Sequence, residues 1–277
     1  MSTECIHGLD EDLCDICHPA PVPVARPRAS VARTATRRSA SPRATAPRTS
    51  PRGTASRASS PSSTSSARRV SLTTQRVYHL THIDNLSGIL AAEAVYPAGF
   101  EDLDDGLRTL DIATPEARAR RAATDVAGQP ADGYVPFFLT PDARSWRAMR
   151  LGVADGRIAV DATGSKAYDY VMLVGVAATV AGDAEALLAD GDVTLASTRT
   201  ARGAEEAERM LRRLGLDEGH GLLDAEFLVA GEIPVARFTL IGVANDGARA
   251  AVRDALAGSA WRPKVAVYPP WFRRPAD

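Results

Sequence analysis

Five side chains capable of hydrogen-bonding a ligand fall close together in the stretch VYHLTHIDNLSGIL: His79, Thr81, His82, Asp84 and Asn85. Imidazole, hydroxyl and amide groups so spaced can hold a ligand, or can simply close a turn between a strand and a helix. Farther along, Arg118, Arg120 and Arg121 share one short segment, and each guanidinium is a rigid fork of donors suited to phosphate or carboxylate. Glu226 opens the apolar run EFLVA, an odd place for a carboxylate, because burying a charge is costly unless it is paired or poised for work. From local sequence alone Glu226 reads as the solvated end of its strand. His79 reads first as a satisfied core group, with ligand binding as the alternative.

A separate set lies in CIHGLDEDLCDICH, where Cys5, His7, Cys14 and Cys17 form two close ligand pairs, with His18 able to replace one. Such pairs can wrap a tetrahedral zinc without a preformed core, and four protein ligands leave no open position, so the expected metal is structural. Free thiols are the alternative; a redox role is weaker because no βαβ pattern surrounds the Cys-x-x-Cys. The main body has no cysteine to act as nucleophile, no Gly-x-Ser-x-Gly elbow and no glycine-rich phosphate loop, which excludes the standard nucleotide and acyl-transfer motifs.

The elements that must carry these residues follow from periodicity and capping. RVYHLT alternates as a strand, and Asp84 is placed to cap a helix with Leu86, Ile89 and Leu90 on its apolar face. TPEARARRAATD predicts a helix with Thr114 as N-cap and Pro115 at its first position. YVPFFLT (Tyr134 to Thr140) and YVMLVGVAATV (Tyr170 to Val180) predict buried strands, with a polar stretch including RSWRAMR between them. Asp183 is expected to cap a short helix through Leu188, and AEEAERMLRRLG is an amphipathic helix ended by glycine. Two or three short strands broken by Gly231 and Pro234, a helix in GARAAVRDAL and a terminal strand in KVAVYP complete the chain. Short strands mixed irregularly with helices predict an α+β fold.

The near balance of 33 basic and 34 acidic residues conceals a division. Residues 21–75 hold eleven arginines and no lysine, acid or aromatic residue. Residues 76–277 carry 22 basic and 29 acidic side chains, a formal charge of −7. The Arg, Ser, Thr, Ala and Pro of the basic stretch offer too little apolar surface to offset ordering entropy, so it is expected to be disordered. It is either a polycation suited to phosphate backbones or a plain linker. Three parts are therefore expected: a Cys/His segment (1–20), the basic linker (21–75) and one globular domain (76–277). No apolar run approaches the roughly 18 residues of a membrane span, the amino-terminal residues do not read as a signal peptide, and the cysteines fit a reducing compartment. A cytoplasmic monomer is the expectation.

Four blocks of the body, VYHLTHIDNLSGIL, YVPFF, AEFLV and IGVANDGARAAVRDAL followed by RPKVAVYPPWF, resemble in order and wording the DarT family, DNA ADP-ribosyltransferase toxins of toxin–antitoxin systems. The resemblance spans Arg76 to Arg273 and implies an ADP-ribosyltransferase-like core with NAD as substrate. It implies that His79, Thr81 and Asn85 contribute to the NAD pocket, that Arg121 is the essential arginine and that Glu226 is the catalytic glutamate. Phe138, where the family usually has tyrosine, is the fourth expected cofactor contact. The chain also differs from the family at DARSWRAM, where members carry Arg-Ser-Pro-Met, and at DVTLASTRT, where members often carry a Phe-Thr-Asp-Gly-His-like block. The implied reaction is transfer of ADP-ribose from NAD to a base in single-stranded DNA, with a macrodomain antitoxin as implied partner. RNA or protein as acceptor, or an inactive nucleic-acid-binding module, are the alternatives.

Overall fold

The structure, a computed structural model, describes residues 71–100, 112–153, 155–158, 166–216 and 220–275. Its strands are β1 (Arg76–His82), β2 (Ala94–Val95), β3 (Asp125–Val126), β4 (Gln129–Pro130), β5 (Tyr134–Phe138), β6 (Tyr170–Val176), β7 (Ala186–Ala189), β8 (Thr200–Arg202), β9 (Glu226–Ala230), β10 (Ile233–Pro234), β11 (Leu240–Val243) and β12 (Lys264–Val267). Its helices are α1 (Leu86–Ala92), α2 (Pro115–Ala123), α3 (Arg144–Leu151), α4 (Ala177–Ala181), α5 (Gly203–Gly215), α6 (Asp246–Ala255) and α7 (Pro269–Phe272). An eight-stranded sheet runs in the order β12-β11-β6-β1-β5-β9-β7-β8. Its neighbours are antiparallel except the parallel pair β11 and β12. Two small ribbons, β2 with β10 and β3 with β4, lie outside it. The architecture is α+β, as the irregular mixture of elements predicts.

Alternation along the strands explains the two layers. Val77 of β1, Phe137 of β5 and Leu173 of β6 face one way and join Leu86, Ile89, Leu211 and Val252 of the helices in the larger core. Their neighbours Tyr78, Met172 and Val174 face the other way and meet Trp146 and Phe272. β6 is covered on both faces, which is why it reads as a continuous apolar run. The chain joins this body before β1: Ala178 N donates to Leu72 O and Ala177 N to Gln75 O. No helix among the described residues is long and apolar enough to cross a membrane.

Local signals hold well for α2 and α5. Thr114 accepts from Ala117 N, as its N-cap position predicts, and α5 buries Ala207, Met210, Leu211 and Leu214 along one side. Three expectations are corrected. Asp84 is not the helix cap; His82 accepts from Asp84 N to open a 3-10 turn over Ile83–Asn85, which runs into α1. The strand expected to reach Val180 stops at Val176, and Ala177–Ala181 turns into a short helix that Gly182 ends with φ of 53°. An unbroken apolar run does not distinguish the two states by itself. Asp183 caps no helix through Leu188: Ala186–Ala189 is a strand, because β8 and β9 flank it and supply ladder partners on both edges.

Candidate active site

The site exists because two strands part. β1 and β5 share a single register pair, Tyr78 with Phe138. Beyond it Pro136 has no N–H to donate toward β1, so the ladder cannot continue. The Pro136 carbonyl instead accepts from His79 Nδ1 at 3.1 Å. Between the separated strands, α1 and α2 lies a cleft of about 730 Å³ lined by His79, Thr81, Asn85, Arg121, Phe138 and Glu226 among others. The six body residues that the resemblance assigns to the site therefore meet in one cavity, of a size suited to a small-molecule ligand, whereas His82 and Asp84 do not line it.

Each side chain has a defined state. Since a carbonyl only accepts, His79 Nδ1 carries the proton, and Nε2 is left as an acceptor. Burial pushes the His79 pKa below its ordinary value, against the smaller opposing effect of the Pro136 carbonyl, so the neutral imidazole persists at neutral pH. The Asn85 amide donates to Thr81 Oγ1 at 3.0 Å, and the Thr81 hydroxyl still has its own proton to give. Phe138 presents a ring without a hydroxyl to the same wall.

Glu226 is only 4% exposed. Local sequence favoured a solvated position, but β9 sits between β5 and β7, and Glu226 is in register with Phe138 on one side and Ala189 on the other. Its charge is paired: Arg121 Nη1 donates to Oε2 at 3.2 Å and Arg157 Nη1 to Oε1 at 3.4 Å. Arg121 is steadied by a second bond from Nη2 to Ala131 O at 3.3 Å. The other two arginines of that segment, Arg118 and Arg120, also line the cleft, and Arg120 donates to Gly156 O at 2.6 Å.

Two functional candidates were missed by sequence reasoning. Arg157 stands in a segment with no periodic signal, and no local feature marks it. Ser145, the second residue of α3, is 1% exposed, lines the cleft, and its Oγ has no hydrogen-bond partner among the described residues. The RSW tripeptide was the one signal, as a departure from a family pattern. His82, by contrast, is a structural group: its buried ring caps the turn at Asp84 N, packs edge-on against Tyr170 at 5.2 Å and is absent from the cleft lining. Cys5, His7, Cys14 and Cys17 lie outside the described residues, as do residues 21–70. Among the described residues no group of three or more His, Cys, Asp or Glu could hold a metal.

The arrangement offers a paired carboxylate, the cations that pair with it, a neutral imidazole acceptor and two hydroxyls. Such a site suits a ligand that has both ribose hydroxyls and phosphates. A family model described as ssDNA thymidine ADP-ribosyltransferase, DarT, matches residues 78–175 and 223–273. Among solved structures, Thermus sp. 2.9 DarT in complex with ADP-ribosylated ssDNA is 23% identical with a TM-score of 0.58, covering 72% of this chain and 96% of that one. The same protein in complex with NAD+ gives 23% identity and 0.55 over 72% and 97%. Thermosipho africanus DarTG in complex with ADP-ribose gives 16% and 0.56, over 72% of this chain and 51% of that one. No curated protein sequence matches significantly.

Proposed function

The chain belongs to the DarT family of single-stranded DNA thymidine ADP-ribosyltransferases, and from that premise we propose that its β1–β5 cleft binds NAD and that Glu226 and Arg121 carry the transfer to a thymine. The observation that carries the assignment is a carboxylate that lines the cleft, is 4% exposed and is ion-paired at 3.2 Å with Arg121. A buried, charge-paired acid facing an open cavity is poised for work.

His79 Nε2 accepts from a ribose hydroxyl or the carboxamide, and the Thr81 hydroxyl, aligned by Asn85, donates to the same ligand. Phe138 packs against its apolar surface. As the bond between ribose C1′ and nicotinamide breaks, nicotinamide leaves with the bonding pair and positive charge develops on the ribose. Glu226 holds a ribose hydroxyl and stabilises that charge from a fixed position. Thymine's ring nitrogen with an exchangeable proton, N3, forms the new bond to C1′, and Glu226 is the group placed to take the N3 proton. Arg121 holds Glu226 and an anionic group of the substrate by its fork of donors.

The test incubates the protein with labelled NAD and separate pools of single-stranded DNA, duplex DNA, RNA and protein. Label should enter single-stranded DNA containing thymidine, and Glu226→Gln should slow that transfer on the order of 10²- to 10³-fold. Transfer that survives Glu226→Gln would remove Glu226 from the mechanism, and label in RNA or protein alone would change the acceptor.

The finer attributes are part of the same reading. The activity is toxic to a cell and is countered by a partner that removes ADP-ribose; Thermosipho africanus DarTG motivates this. Cys5, His7, Cys14 and Cys17 bind one structural zinc, on the chemistry of the ligand set. Residues 1–20 and 21–75 act as zinc segment and basic linker, the linker joining the body over its last residues, Ser71 to Gln75, and residues 76–277 act as catalytic domain of a cytoplasmic monomer.

A further inference from the structure

Arg157 is separated from Glu226 by 69 residues, yet its Nη1 lies 3.4 Å from Glu226 Oε1. The two arginines that grip this carboxylate are anchored differently. Arg121 extends from a regular helix and has a second hydrogen bond to a backbone carbonyl. Arg157 is held by carboxylates: Nε lies 3.6 Å from Asp155 Oδ1 and Nη2 lies 3.9 Å from Asp224 Oδ1. Asp224 in turn accepts from Arg144 Nε at 2.7 Å. Arg144 is the first residue of α3 and Asp224 stands two residues before Glu226. Three distant stretches of chain thus meet at the glutamate through one guanidinium.

We propose that Arg157 is a positioning residue of the transferase, which fixes the orientation of Glu226 by holding Oε1 while Arg121 holds Oε2. This rests on Glu226 being the catalytic carboxylate. A carboxylate offers about four acceptor sites, so two guanidinium contacts leave room for a ribose hydroxyl. Without Arg157 the Glu226 side chain keeps one grip and can turn about its own bonds. The Arg157 side chain is 19% exposed and that of Glu226 is 5% exposed, so solvent screens the pair less than it would a surface pair. The contact holds Oε1 from the side where the Asp155 and Asp224 carboxylates flank the guanidinium at 3.6 and 3.9 Å.

The experiment compares wild type, Arg157→Ala and Arg157→Lys in transfer of ADP-ribose from NAD to a single-stranded thymidine oligonucleotide, with thermal melting of each. Misplacing a catalytic group by about 1 Å costs on the order of 10²-fold, so Arg157→Ala should lower kcat by about 10- to 100-fold while KM for NAD stays within about twofold. Added guanidinium should restore part of the Arg157→Ala rate and none of the Glu226→Ala rate. A lysine lacks the fork and should recover less than guanidinium does. An active wild type with Arg157→Ala at wild-type kcat, or with a raised KM alone, overturns the proposal. So does a reduced melting temperature unaccompanied by guanidinium rescue. Should Arg157→Ala not fold, Asp155→Asn and Asp224→Asn loosen the same guanidinium; a lower kcat at unchanged KM supports the proposal, and unchanged kcat in both overturns it. A wild type that consumes no NAD and labels no DNA overturns the parent reading, and this inference with it.

Discussion

His79 shows how one residue's environment fixes its chemistry. Its Nδ1 proton is committed to Pro136 O, so only the neutral ring leaves Nε2 as an acceptor for a ligand. Burial lowers its pKa, so the folded protein resists a proton that the unfolded chain accepts at its ordinary value of about 6.5. The stability contributed by the neutral ring is complete above about pH 6.5, and is lost as pH falls from there toward the lowered folded value. Ligand binding follows the folded value. KM for NAD should stay flat from pH 8 to about 6.5 and rise only at more acid pH, a rise that His79→Asn should abolish. A pH-independent KM in the wild type would show that His79 Nε2 does not contact the ligand. Glu226 belongs to the same scale: its residue type was legible as anomalous in an apolar strand, but its burial and its partners were not.

At the scale of elements, the parting of β1 from β5 makes the cavity, and Pro136 is its local cause. Pro136→Val supplies the missing N–H while keeping a residue suited to a strand. The two strands should then extend their pairing past Tyr78 and Phe138, narrowing the space between His79 and Glu226. The expected outcome is a weaker affinity for NAD in calorimetry together with slower amide exchange in β5. Unchanged affinity would mean that the cleft is held open by α1 and α2 instead. The short Ala177–Ala181 helix makes a related point. Its sequence continues the apolar run of β6, and the turn into a helix follows from bonds that Ala177 and Ala178 make to Gln75 and Leu72, not from propensity within the run.

For the whole molecule, charge is the organising quantity. Residues 76–277 carry a formal −7 and residues 21–75 carry eleven arginines, while the catalytic reading requires a polyanion to approach the body. On the proposed reading, the basic linker would offset that repulsion by engaging phosphates and releasing counterions. Deleting residues 21–70 should weaken binding to single-stranded DNA and flatten its salt dependence, by roughly 0.7 in logarithmic slope for each phosphate that the arginines neutralise. KM for NAD should not change. An unaltered salt slope would reduce the stretch to a spacer. Purified full-length protein should contain about one zinc per chain, and chelation should leave NAD turnover in place, because the proposed metal set lies apart from the cleft residues in sequence and four protein ligands leave no open position for substrate.

The sequence by itself determined the short-range features. Thr114 caps α2, Pro115 starts it, and α5 buries one stripe, because capping and the 3.6-residue period act over a few residues. It also made six cleft residues of the body nameable, five of them through motif blocks whose order survives without any knowledge of the fold and Arg121 through the arginine pair of TPEARARRAATD. Tertiary structure decided the rest. Leu187 and Leu188 are in a strand because β8 and β9 flank them. Glu226 is buried because β9 lies inside the sheet, and it is paired because tertiary packing brings Arg121 of α2 from 105 residues away and Arg157, which belongs to no named strand or helix, from 69. Ion pairs at such separations depend on how helices and connecting segments pack against the sheet. No local pattern encodes that packing, and so Arg157 became visible only when the chain was folded.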